Sequence, residues 1–173
     1  MSTVQQPPLA QQKPNPANLI IPRIWLGDIR AARDSMFVRA TGITTVINCT
    51  KDAPFLMEIE NKYRVPVEDN LEEEEIRNMA LWSSEIVHTI LRHYYAGETI
   101  LIHCMAGRQR SAAVTAMVLI ALYNCRFDRA MELVRTARPV AFFPMPNFIR
   151  SIQYFENIFY KEIQPAIRHS RPN

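Results

Sequence analysis

The chain has 173 residues, 48% of them hydrophobic and 21% charged, with a net charge of +3. That is enough apolar material for one domain with its own core, and too even a charge balance to indicate a nucleic-acid binder on charge alone. No apolar run approaches the roughly 18–20 residues of a membrane span, and the N-terminus lacks the basic-then-apolar layout of a secretory signal.

Residues 1–18, rich in proline and glutamine with almost no apolar content, are predicted to be a disordered tail, with a short docking peptide as the functional alternative. A short strand is predicted over 23–27. A helix follows over Ile29–Ala40, with Asp28 as its cap and an end near Gly42. The β-branched run 43–50 reads as a buried strand, and "YRVPVED" (63–69) as a second. Apolar residues at three-and-four spacing, among them Ile76, Met79, Ile86 and Ile90, predict an amphipathic helix from Glu73 to Tyr95 that Gly97 stops.

"TILIHC" (99–104) is apolar throughout, which suits the centre of a parallel sheet covered on both faces. "SAAVTAMVLIALYNC" (111–125) is apolar almost all round and reads as a buried helix. Two more helices are expected near 127–138 and 147–162, with Asp128 and Asn147 close to their starts. Strands alternating with helices imply an α/β fold, a mostly parallel central sheet flanked by helices. The ordered domain is expected over 19–163, with a flexible C-terminal tail over 164–173.

The chemistry concentrates at the join between the central strand and the buried helix. Ligands of open α/β sheets bind at the carboxyl ends of strands, and a helix N-terminus offers unpaired N–H groups and partial positive charge. If Met105, Ala106, Gly107, Arg108, Gln109 and Arg110 curl with their N–H groups inward, they form a nest for a tetrahedral oxyanion. The same field lowers a thiol from its usual pKa of roughly 8.5, so Cys104 would be a thiolate able to attack phosphorus. Arg110 could grip two phosphate oxygens with its planar fork. Ser111 could donate to the sulfur as it departs, and His103 could order the loop. A leaving alcohol or phenol needs a proton. Asp69 is the candidate general acid, with Glu68, Glu72, Glu73, Glu74 and Glu75 as neighbouring competitors. No metal or other cofactor is called for.

His103-Cys104, five residues, then Arg110-Ser111 is the signature of the cysteine-dependent protein tyrosine phosphatases; chance produces it about once in 10⁵–10⁶ start positions. "VPVED", a long helix and "ILIHCMAGRQRS", with "RIWLGDIRAA" and "GITTVINCTKD" before and "RPVAFFPMPNFIRSIQYFE" after, resemble the small atypical dual-specificity phosphatases over about residues 20–160. The resemblance implies a tyrosine-phosphatase-like fold, Cys104 as nucleophile, Arg110 as phosphate-binding residue and Asp69 as general acid. It implies a shallow pocket for phosphotyrosine, phosphoserine and phosphothreonine, with a phosphorylated protein as substrate. Arg108, where many such enzymes carry a smaller or apolar residue, keeps a phosphoinositide or RNA 5′-triphosphate open as the alternative; a non-catalytic phosphoprotein-binding module is the further one. The bland reading of Arg108 is a solvated side chain at the rim.

The three cysteines, Cys49, Cys104 and Cys125, show no metal-binding or disulfide spacing, so a reducing intracellular compartment, cytoplasmic by default, is expected. Cys49 reads as core; by resemblance to some relatives it is alternatively a trap for oxidised Cys104. Cys125 reads as core, Trp25 and Trp82 as packing residues, and Glu72–Glu75 as a solvated helix start. No motif specifies an oligomeric state.

Overall fold

The computed structural model describes residues 14–169. Its five-stranded sheet has the order β1-β2-β5-β3-β4, from β1 (Ala17–Ile21), β2 (Ile24–Gly27), β3 (Ile43–Asn48), β4 (Asn61–Arg64) and β5 (Thr99–His103). All neighbours are parallel except β1 and β2. The mostly parallel sheet with β5 at its centre is the expected one. Along β5, Ile100 and Ile102 enter the large core while Leu101 enters a smaller one on the opposite face. This is the period-two alternation of a strand covered on both sides.

The helices are α1 (Ile29–Ala32), α2 (Ser35–Thr41), α3 (Glu73–Tyr95), α4 (Arg110–Tyr123), α5 (Phe127–Ala137), α6 (Ile149–Ile158) and α7 (Gln164–His169), with a π-helical turn at Phe159–Ile163 between the last two. α4 is buried from Arg110 through Ile120 and fills the large core with α3, α5 and α6. Each wholly buried side chain, such as Met117 or Leu119, contributes about 1.5–3 kcal/mol. A substitution such as Leu119→Ala would leave a cavity at the site's foundation.

Several expectations are corrected. The single helix over 29–40 is two, because Asp34 accepts from the N–H groups of Met36 and Phe37 and so caps a new helix where the old one ends. The second predicted strand pairs over 61–64 rather than 63–69. Pro66 has no N–H to continue the ladder, and the chain leaves the sheet as an extended loop bearing Asp69. Residues 17 and 18 of the predicted tail lie in β1, an edge strand made by antiparallel pairing with β2; residues 1–13 lie outside the described part. At the other end, residues 164–169 of the predicted C-terminal tail are helical, and 170–173 lie outside. The helices continue because Phe155 and Phe159 stack in the core at 6.0 Å and Tyr160 Oη donates to Cys125 O at 3.0 Å. Asp128 stands in the first turn of α5, close to its start as expected, and the N–H of Phe127 there is taken by the Glu156 carboxylate at 2.9 Å.

Candidate active site

The loop from Cys104 to Gln109 joins the carboxyl end of β5 to the first residue of α4, Arg110. Its conformation follows from where its carbonyls go. Met105 O accepts from Ile29 N at 3.2 Å, and Arg108 O from Phe142 N at 2.7 Å. Ala106 O and Gly107 O both face Arg138, whose Nε donates to Gly107 O at 2.8 Å. Four successive carbonyls are thus turned outward, which leaves the N–H side of the loop for the space above the sulfur. Gly107 makes this curl possible: its φ is +61°, and a Cβ there would sit 2.5 Å from Gly27 O.

Cys104 is buried, with Sγ 3.1 Å from Ser111 Oγ. Burial pushes its thiol up, but the Arg110 charge, the Ser111 hydroxyl and the N–H groups of Ser111 and Gly107 outweigh that and hold it below the ordinary thiol value. Cys49 behaves oppositely. It is fully buried beside Cys104's strand, its N–H donating to His103 O at 2.8 Å, and burial together with the charge of Cys104 pushes its thiol well up. Cys125 is half-buried against the core. Its Sγ lies 3.6 Å from Leu119 O, so it packs where the sequence suggested.

Arg110 is 7% exposed. Its Nη1 donates to Val67 O at 3.1 Å and lies 3.8 Å from the Glu68 carboxylate. Its Nε is buried with no hydrogen-bond partner among the described residues, a donor that native interiors rarely leave idle. A tetrahedral anion on the loop would satisfy it.

The carboxylates that compete in the sequence separate in space. Glu68 faces Arg110 and Glu73 pairs with Arg150. Glu75, read as part of a solvated run, is in fact buried: Lys51 Nζ donates to it at 2.6 Å, and it accepts from Glu68 N at 2.8 Å. It thereby pins the loop carrying Asp69. Asp69 itself is exposed, with Oδ1 accepting from Asn147 Nδ2 at 2.8 Å. Met105 and Ala106 are exposed at the mouth, and Arg108 is half-buried rather than freely solvated.

His103 is buried, with Nδ1 3.3 Å from Cys104 O. Burial lowers its pKa to about 4 from an ordinary 6.5. The unfolded chain therefore binds more protons between those values. Stability should fall as pH drops from 6.5 to 4 and lose nothing further from this group below it. The loss is about 3 kcal/mol, and His103→Gln should remove it. Denaturant unfolding of both proteins across pH 4–7 measures it; parallel pH profiles would refute it.

Sequence reasoning missed Arg138, a fully buried arginine whose Nη1 also donates to Asn15 O at 2.9 Å and to Asn18 Oδ1 at 2.7 Å. The only available signal was a cation amid apolar residues in "RPVAFF". It also missed the Gln109 side chain; the loop motif points only to its backbone N–H.

The family model for the catalytic domain of dual specificity phosphatases matches residues 24–158. Dual specificity protein phosphatase 2 of Mus musculus is 32% identical over 130 residues, covering 75% of this chain and 39% of that protein. The chain thus spans about two fifths of the length of that relative. Human dual specificity phosphatase 28 is 30% identical over 152 residues, covering 85% of this chain and 81% of that protein. Its crystal structure aligns with a TM-score of 0.75 at 28% identity, covering 85% of this chain and 97% of the other. A mouse putative dual specificity phosphatase, crystallised with zinc tungstate, aligns with the same TM-score at 26% identity, covering 93% of this chain and 97% of the other.

Proposed function

This chain belongs to the dual specificity phosphatase family, and from that premise we propose that it hydrolyses phosphotyrosine and phosphoserine or phosphothreonine monoesters of proteins through a cysteinyl-phosphate intermediate. The observation that carries the reading is a thiol held below its ordinary pKa beneath a loop whose carbonyls 105–108 all point away from it. Tungstate, the anion bound by the mouse neighbour, is tetrahedral like phosphate.

The phosphate sits on the N–H groups of residues 105–110, with Arg110 directing Nε and Nη2 at its oxygens. Cys104 Sγ attacks phosphorus in line, the S–P bond forms, and the P–O bond to the leaving group breaks. Asp69 gives its proton to the departing oxygen. Water then attacks phosphorus and gives a proton back to Asp69. The S–P bond breaks, and Ser111 Oγ–H stabilises the released thiolate. The free thiols Cys49, Cys104 and Cys125 suit a reducing compartment. Among the described residues no helix is long and apolar enough to cross a membrane.

The test is turnover of phosphotyrosyl and phosphothreonyl peptides in EDTA and reductant, with an inositol phospholipid and an RNA 5′-triphosphate alongside. Asp69→Asn should cost about 10²–10⁴-fold on the peptides. Absence of peptide turnover with turnover on lipid or RNA would replace the substrate; absence on all of them would leave a binding module.

A further inference from the structure

An acid on an exposed loop is useful only if something holds it. Asp69 lies beyond the last sheet pairing, Asn48 with Arg64, and its backbone neighbours are fixed by Arg110 on Val67 O and by Glu75 on Glu68 N. Those contacts place the loop without orienting the Asp69 carboxyl. Asn147 does that, through Nδ2 at 2.8 Å from Oδ1. An amide nitrogen only donates, so Oδ1 is engaged as acceptor and Oδ2 is the oxygen left to hold a proton for delivery.

Asn147 is held in turn from the phosphate loop. Its N–H donates to Gln109 Oε1 at 3.0 Å, while Gln109 Nε2 donates to Met145 O at 2.8 Å and to Phe143 O at 3.3 Å. Both ends of the Gln109 amide thus grip the segment 143–147. The plain role for an asparagine just before a helix, capping it, is not the one it plays. The residue at that position of α6 is Phe148, and no side chain caps the helix.

We infer that Asn147 is a positioning residue for Asp69, and that Gln109 is the anchor that keeps acid and phosphate loop in register. The inference rests on the proposed function, in which Asp69 protonates the leaving group. A misplacement of about 1 Å costs on the order of 10²-fold in such a step.

Leaving-group chemistry reads this out. Phenyl phosphate expels a phenol of pKa about 10 and needs the proton, whereas a nitrophenyl phosphate departs with far less help. Asn147→Ala should lower kcat/KM on phenyl phosphate about 10–100-fold and leave it nearly untouched on nitrophenyl phosphate, because kcat/KM reports the transfer to Cys104 and not the later hydrolysis that both esters share. Gln109→Ala, which keeps its backbone N–H, should also lower kcat/KM on phenyl phosphate more than on nitrophenyl phosphate. If Asn147→Ala fails to fold, Gln109→Ala carries the test. In an Asp69→Asn background Asn147→Ala should cost nothing more, because the two act as one unit. Equal losses on both esters, or losses that multiply in the double variant, would overturn the inference while Asp69 stays the acid. If Asp69→Asn itself shows no leaving-group preference, the acid assignment fails and takes this inference with it.

Discussion

Cys104→Ser should lower turnover on every phosphomonoester by on the order of 10⁴-fold or more while leaving phosphate binding intact. The serine hydroxyl ionises far above any working pH. The interactions that lower the thiol, namely the Arg110 charge, the Ser111 hydroxyl and the two N–H groups, cannot bring an alcohol within range. The change removes the nucleophile and little else: the outward carbonyls, Gly107 and Arg138 are untouched, and oxygen replaces sulfur without crowding. The variant should therefore fold as the wild type does. It should bind a phosphotyrosyl peptide at least as tightly, since a thiolate beneath the dianion is replaced by a neutral group. Calorimetric titration of the peptide together with steady-state turnover checks both parts. Metal-independent turnover above about a hundredth of wild type would show that sulfur is not the nucleophile.

Arg110→Lys should cost about 10²–10³-fold in kcat/KM, although the charge is formally kept. Nη1 is occupied by Val67 O, so the groups that remain for the anion are Nη2 and the unpartnered Nε, two N–H donors in one plane. An ammonium group presents a point charge and cannot grip two oxygens from one side. There is a second, separable consequence. Arg110 is the main influence lowering the Cys104 thiol, and a cation displaced from it lowers the thiol less. The acidic limb of kcat/KM should accordingly move to higher pH in the lysine variant, because a larger fraction of Cys104 then stays protonated. An unshifted limb with reduced kcat/KM would confine Arg110 to phosphate binding. Unchanged kcat/KM would remove it from the mechanism.

Parts of the molecule are readable from local pattern because their causes are local. α3 runs from Glu73 to Tyr95 as its apolar spacing predicts, and the strand–loop–helix unit from Thr99 to Tyr123 appears within two residues of its expected bounds. β1 carries no strong alternation, only an edge and a partner, and so its first two residues, 17 and 18, read as tail. In the stretch 63–69 the β-branched pattern runs on past Arg64, but the neighbouring strand does not. In the helix over 29–40 the propensity was sound and Asp34 had a better use as a cap. Glu75 reads as one acid in a run of four; its burial depends on Lys51 and Glu68 arriving from other segments.

The same division runs through the site. By itself the sequence determined the order His103-Cys104 to Arg110-Ser111, hence a thiol and a guanidinium on one short loop at a helix start. Contiguous residues in a strand–loop–helix unit have few ways to be arranged. Only the tertiary structure decided where the competing carboxylates Glu68, Glu73 and Glu75 are engaged, what turns the loop carbonyls outward, and what holds Asp69. Asn147 meets Asp69 across 78 residues, Gln109 meets Asn147 across 38, and Arg138 meets Gly107 across 31 and Asn15 across 123. Such contacts leave no periodicity or spacing in the chain. They exist because burying α4 and the sheet brings distant loops to the same edge, where their polar groups come within hydrogen-bonding reach.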